Sequence, residues 1–329
     1  MKNVRMMMCM LIVLCSGQCF AKEPLQSVTI RLNWIPNVQF AGVLVAKERG
    51  WYEEAGIDLT VKGWEEGNVS TDEVAAGKAQ IGVAEGDALI KSRAAGNNLK
   101  AIATAFQKPA FCLMSKKERG IEKPEQLAGK RIGFSSHESL IMIKLVMAGV
   151  GLKDEDITTV QVGWKLDSLI NDKIDAREAF MNEEPLAMRE KGYEVNIIPA
   201  FKYGYDFYSS AYFVTETTLQ KHSEIVRKFL DATLRGWKEA FKDPAATVKL
   251  VVEKYYPKGS VSQQTESLKV FKFLARVGEG RKYLGWMEEQ YWAKGIDILH
   301  KFKQIDSKIP AKDVFTLEFL ESIYFGKKK

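Results

Sequence analysis

The sequence predicts an α/β protein of two lobes, and three observations carry that expectation. Short apolar strands alternate with helical stretches over the first hundred residues. The alternation restarts near Lys123, and from Thr217 onward the chain reads as mostly helical. Strands that alternate with helices imply largely parallel sheets covered by helices on both faces.

The elements follow in order. Val28–Leu32 alternates apolar and polar and reads as a first strand, ending in Asn33-Trp34-Ile35-Pro36-Asn37. Phe40–Arg49 reads as a helix stopped by Gly50, Asp58–Lys62 as a strand, and Thr71–Ala76 as a short helix ended by Gly77. Ile81–Ala84 is a continuous apolar strand, Asp87–Ala95 a helix stopped by Gly96, and Leu99–Ala105 a fourth strand. The second unit begins with a helical turn at Lys123–Leu127. Strand Arg131–Phe134, the polar corner Ser135-Ser136-His137 and a helix running to Gly149 come next. Strand Thr159–Val162, helix Leu166–Asp172 and strands Ala176–Met181 and Asn196–Pro199 complete it. Helices are expected at Ser223–Phe241, Pro244–Tyr256, Gln263–Phe273 and Gly285–Phe302. No low-complexity linker separates the units, so the lobes are expected to be joined by strands crossing between them near Phe111–Ser115 and Tyr208–Val214. This gives residues 22–112 and 212–329 as one lobe and 113–211 as the other.

Composition narrows the class. With 46% hydrophobic and 27% charged residues, the chain is neither disordered nor a coiled coil. Residues 1–21 carry Lys2 and Arg5, the apolar run Met6–Cys15 and the small-x-small end Cys19-Phe20-Ala21. This is the build of a secretory signal peptide cleaved after Ala21. Gln18 is a poor match to the small residue that precedes a lipidated cysteine, so lipidation at Cys19 is not expected. Cleavage leaves Cys112 as the single thiol, hence no internal disulfide. It also leaves 46 basic against 42 acidic side chains, a net charge of +4 in place of +6. An excess so small and so scattered gives no reason to invoke nucleic acid.

Ligands of open α/β sheets sit beyond the carboxyl ends of the strands. The residues that fall there are Asn33, Trp34, Asn37 and Gln39 after the first strand, Glu85 after the third, and Phe106 and Gln107 after the fourth. In the second unit they are Ser135, Ser136, His137, Trp164, Asn182 and Glu183. Amides, hydroxyls, carboxylates and aromatic rings in one set suit a flat polar heterocycle. Several have a purely structural alternative: Glu85 as a helix cap, Ser135-Ser136 as an N-cap, Asn33 and Asn37 as turn residues. The aromatic segment Tyr203–Tyr208 is expected to form a cleft wall, with Tyr203, Asp206 and Tyr208 as candidates. Catalytic signatures are absent: no Gly-rich phosphate loop, no His-Glu-x-x-His and no Gly-x-Ser-x-Gly. His137, His222 and His300 are widely separated, so neither a metal nor a cofactor is expected.

The run LNWIPNVQFAGVLVAKERGWYEEAGIDL, followed in order by AAGKAQIGVAEGDALIKSRAAG, AIATAFQKPAFCLMS, LAGKRIGF, NEEPLAMREKGYEVNIIPAFKYGYDFYSSAYFVTE and VRKFLDATLRGWKEAFKDP, resembles the NMT1/THI5-like periplasmic binding proteins. The resemblance spans residues 28–320. It implies a type II solute-binding fold closing around a hinge, an ABC permease in the inner membrane as partner, and a monomeric periplasmic protein. It also implies a pyrimidine precursor of thiamine as ligand, such as hydroxymethylpyrimidine or its formylamino relative, with riboflavin, sulfonates or a sensing role as alternatives. The eukaryotic branch makes the pyrimidine with its own His, pyridoxal phosphate, iron and a Cys-rich motif. That motif is missing here, so an enzyme is not expected. Two positions depart from the pyrimidine binders: Phe40 stands where a His is usual, and Ser209-Ser210 replaces a Gly-Asp pair.

Overall fold

The computed structural model describes residues 24–326. The proposed signal peptide and Cys19 lie outside them. Strands β1 (Gln26–Arg31) and β2 (Ile57–Lys62) are joined through helices α1 (Ala41–Glu48) and α2 (Trp51–Glu54). Helix α3 (Ser70–Ala75) leads to β3 (Ile81–Ala84), and α4 (Gly86–Ala94) to β4 (Leu99–Phe106). The second unit holds β5 (Phe111–Lys116), β6 (Arg131–Phe134), α5 (His137–Ala148), β7 (Thr158–Gln161) and α6 (Asp167–Ile170). It continues with β8 (Ala176–Phe180), α7 (Glu184–Glu190) and β9 (Val195–Pro199). Strand β10 (Ser209–Thr215) precedes the helices α8 (Glu216–Lys242), α9 (Pro244–Lys254), α10 (Val261–Ala275), α11 (Glu289–Lys301), α12 (Ala311–Val314) and α13 (Glu318–Phe325).

Two five-stranded sheets result, ordered β2-β1-β3-β10-β4 and β7-β6-β8-β5-β9. Each is mixed. β10 runs antiparallel between β3 and β4, and β5 runs antiparallel between β8 and β9. The largely parallel arrangement that was expected holds for β1–β3 and for β6–β8, while β5 and β10 run against their neighbours.

β5 and β10 each pair along their length within one sheet, so neither bridges the lobes as expected. The chain passes between the sheets at residues 107–110 and 200–208, where it has left one backbone ladder and not yet joined the next. These two crossings are tied together. Asp206 on one takes an ion pair from Lys108 on the other at 2.8 Å and from Lys294 of α11 at 3.1 Å, and accepts a hydrogen bond from the Tyr291 hydroxyl. Asp206 is buried, so removing its charge takes away the anion shared by Lys108 and Lys294. Asp206→Asn should lower stability by about 2 kcal/mol, read as an earlier urea midpoint at unchanged m.

Two other expectations shift. The last long helix begins at Glu289 rather than Gly285, which turns at φ +90° between Ala103 and Leu234. Helix α8 bends at His222, so the expected start at Ser223 corresponds to the straight part; the preceding turn is capped by Thr215 accepting from the Thr218 N–H.

The core joins β1, β3, β4 and β10 to α1, α8 and α10. Helices α1 and α8 touch backbone to backbone. A Cβ added to Gly236 would lie 1.9 Å from the Gly42 carbonyl oxygen, and one on Gly42 would lie 2.3 Å from the Trp237 ring. Trp237 Nε1 donates to the Tyr212 hydroxyl at 2.9 Å, fixing the indole across the sheet.

Candidate functional site

The ends of the strands that point toward the crossings leave a cavity of about 300 Å³ between the sheets. Asn33 and Trp34 enter it because β1 stops at Arg31 and the chain turns through Asn37, whose side chain accepts from the Gln39 N–H at 2.8 Å. Glu85 enters at the end of β3. It occupies the N-cap position of α4 yet makes no side-chain cap; its carboxylate accepts from Asn33 Nδ2 at 3.3 Å. The Asn33 side-chain oxygen, Oδ1, is buried and has no hydrogen-bond partner among the described residues, which leaves it as an acceptor. Gly86 is required at this corner, since a Cβ there would stand 2.7 Å from the Tyr208 carbonyl oxygen, which the Gly86 N–H meets at 2.8 Å.

The second sheet contributes Phe111 and Phe180, cross-strand partners on β5 and β8 with ring centroids 4.3 Å apart. Asn182 and Glu183 follow β8, and Trp164 follows β7. Tyr205, on the crossing 200–208, meets Phe111 edge-on at 5.3 Å. Helix α10 leans in from the C-terminal part. Its Phe271 lines the cavity, and Ser267 donates to the Asn182 carbonyl at 2.5 Å.

The lining is acidic. Glu85, Asp87, Glu138, Glu183 and Glu184 face it, against the single ammonium of Lys91, itself 3.1 Å from Asp87. Burial pushes the Glu85 carboxyl up to about 7, with Asp87 adding to the rise. Burial, then the neighbouring Glu184, does the same to Glu183. Glu184 is raised chiefly by burial although it accepts the Phe180 N–H at 2.7 Å. Near neutrality the cavity can therefore both donate from carboxyl O–H and accept from carboxylate oxygens.

Of the residues expected from sequence, Asn33, Trp34, Gln39, Glu85, Trp164, Asn182 and Glu183 line this cavity. The others do not. Phe40 is buried in the core, so the departure from His at that position removes no lining group. Phe106 stacks on Phe271 at 4.6 Å behind the wall, because the end of β4 faces α10. Gln107 is consumed by the Trp286 carbonyl at 2.9 Å. Ser136 is the N-cap of α5, accepting from Ser139 N–H at 3.2 Å, and Ser135 donates its N–H to Ser139 Oγ, so this corner is a cap rather than a cradle. His137 is exposed and does not line the cavity. Tyr203 packs on the core, Tyr208 accepts the Glu288 N–H at 2.8 Å, and Asp206 is taken by its ion pairs.

Asp87, Lys91, Phe111, Glu138, Phe180, Glu184 and Phe271 also line the cavity and were not expected from sequence; Tyr205 comes from the segment expected as a wall, and Ser209 from the pair that departs from Gly-Asp. Glu138 and Glu184 each lie one residue beyond an expected contact, and Asp87 two beyond, in the first turn of a helix. Ser209 sits in the cavity while Ser210, at φ +51°, accepts from Gln39 Nε2 at 3.1 Å. The pair that replaces Gly-Asp thus supplies one lining hydroxyl and one brace.

Comparison with known proteins places this architecture. The periplasmic sulfonate-binding protein SsuA of Methylobacillus flagellatus superposes with a TM-score of 0.70 at 14% identity, over 92% of this chain and 94% of that one, so the fold is the type II periplasmic-binding-protein fold. The riboflavin-binding protein RibY of Chloroflexus aurantiacus is 25% identical over 91% of this chain and 88% of its own length. The formylaminopyrimidine-binding protein of Halalkalibacterium halodurans is 20% identical over 96% and 99%. The description that matches residues 37–247, well over half of the sequence, is NMT1/THI5 like, and the chain belongs to that family.

Proposed function

We propose that this chain is the periplasmic binding protein of an ABC importer and that its cavity takes a small heteroaromatic solute of the pyrimidine type, carrying amino donors. In this reading the two sheets are the two lobes, divided at the crossings, and the ligand lies between them. The observation that carries the reading is the lining itself: aromatic faces for a flat ring, and five acidic side chains with the unpartnered Asn33 Oδ1 as acceptors for amino groups. An anionic sulfonate would meet like charge with one lysine to offset it, which costs affinity. A cavity near 300 Å³ sits at the small end of ligand sites and favours a single substituted ring over a flavin. Binding rather than synthesis is also the reading that Cys112 supports. The thiol is buried in β5, donates to the Ala179 carbonyl at 3.4 Å, and is pushed well up by burial.

Calorimetry on the mature chain tests this. Hydroxymethylpyrimidine or formylaminopyrimidine should bind, an alkanesulfonate should give no heat, and Trp34→Ala should weaken the pyrimidine by about thirtyfold or more, the size of an aromatic hot spot. Binding of the sulfonate or of riboflavin in place of both pyrimidines would replace the substrate assignment.

A further inference from the structure

Trp164 is the most exposed large apolar side chain among the described residues, at 62%, and yet it lines the cavity. It stands on the loop between β7, the edge strand of the second sheet, and α6. Trp34 lines the same cavity from the first sheet, so each sheet presents one indole. An exposed edge loop would ordinarily hold such a side chain loosely. Here the loop is gripped from inside. Arg177 on β8 is fully buried, and its Nη1 donates to both carbonyls that flank the indole, Lys165 at 2.8 Å and Gly163 at 3.4 Å. Two further donors go to the next residue: Nε to the Glu178 carbonyl and Nη2 to the Glu178 carboxylate, each at 3.1 Å.

A buried ion pair of this kind is a poor way to stabilise a strand, since well-packed apolar residues of the same volume often do as well or better. What an apolar residue would not do is satisfy the two loop carbonyls. We infer that Trp164 is the second-lobe face of an aromatic clamp on the ligand, and that Arg177 is the positioning residue that holds it at the cavity mouth. Ligand stacked between Trp34 and Trp164 would bury the indole that is now exposed, which supplies part of the free energy of closure. The clamp rests on the proposal that the cavity is the ligand site. The grip of Arg177 on Trp164 does not.

The experiment separates the two. The mature chain is labelled with 5-fluorotryptophan, and the Trp164 fluorine resonance is identified by its loss in Trp164→Phe. The paired variant Arg177→Met/Glu178→Gln removes the guanidinium without leaving a lone buried carboxylate. It should shift and broaden the Trp164 resonance while those of the other tryptophans stay in place, which also reports that the protein is folded. An unmoved Trp164 resonance overturns the positioning role. Should the pair fail to fold, Arg177→Lys, a single ammonium without the planar fork, should move the same resonance. In calorimetry with hydroxymethylpyrimidine, Trp164→Ala and the paired variant should each weaken binding about tenfold, and the combination should be no weaker than Trp164→Ala alone. Full additivity, or no effect of Trp164→Ala, overturns the clamp. If the unaltered chain binds no pyrimidine, the substrate assignment fails while the fluorine spectrum still decides the role of Arg177.

Discussion

Glu85→Gln and Glu183→Gln should each stabilise the protein at pH 8 and leave it unchanged near pH 4. Both carboxyls are raised from the ordinary 4.5 to about 7, Glu85 by burial and then Asp87, Glu183 by burial and then Glu184. A raised acid holds its proton more tightly folded than unfolded. Its contribution is therefore fully present below the unfolded value, near 4.5, and is lost as pH rises through 7. A shift of this size corresponds to about 3 kcal/mol in a dry site, and less because both residues are only partly buried. Glutamine mimics the neutral acid without titrating. The expected gain is about 1–3 kcal/mol per substitution at pH 8, measured by urea unfolding at the two pH values. Parallel stability curves for parent and variants across pH 4–8 would mean that solvent reaches both groups freely.

Gly236→Val should be the most damaging single substitution in the first lobe. The added atoms would occupy the position of the Gly42 carbonyl, which lies 1.9 Å from the nearest Cβ site, and backbone cannot yield as a flexible side chain can. Helices α1 and α8 must separate, and with them Trp237, whose indole holds Tyr212 across the sheet. Overpacking of this kind costs about 3 kcal/mol or more. Thermal unfolding should show the loss, and the near-ultraviolet dichroism of Trp237 should weaken. A variant with the parent melting temperature would show that the helices have room to slide.

The fold was legible where it is local. The apolar run Ile81–Ala84 and the Gly-terminated helices around it read directly, because strand and helix periods and glycine stops are written in adjacent residues. The placement of β10 was not. Nothing near Tyr212 says that it will pair with Val83 on one side and Ala103 on the other. The site divides in the same way. Asn33, Glu85, Asn182 and Glu183 stand immediately past strand ends and could be found by topology alone. Which neighbour turns inward at a helix start or along an irregular crossing depends on phase. So Glu138 faces the cavity and His137 does not, and Tyr205 lines it while Tyr203 and Tyr208 pack elsewhere.

The insertion of β10 between β3 and β4 also sets the order in which the protein can become native. Among the described residues β4 has no other strand to pair with in its sheet, so every shorter chain that ends before Ser209 carries a largely apolar eight-residue strand without its partner. The first lobe must wait for the whole second lobe to be made, and its closing contacts span more than a hundred positions of sequence, the kind of pairing that forms slowly. A nascent chain of this topology keeps its first sheet incomplete until Ser209–Thr215 has been made, so half-made chains expose a strand edge that only late synthesis covers.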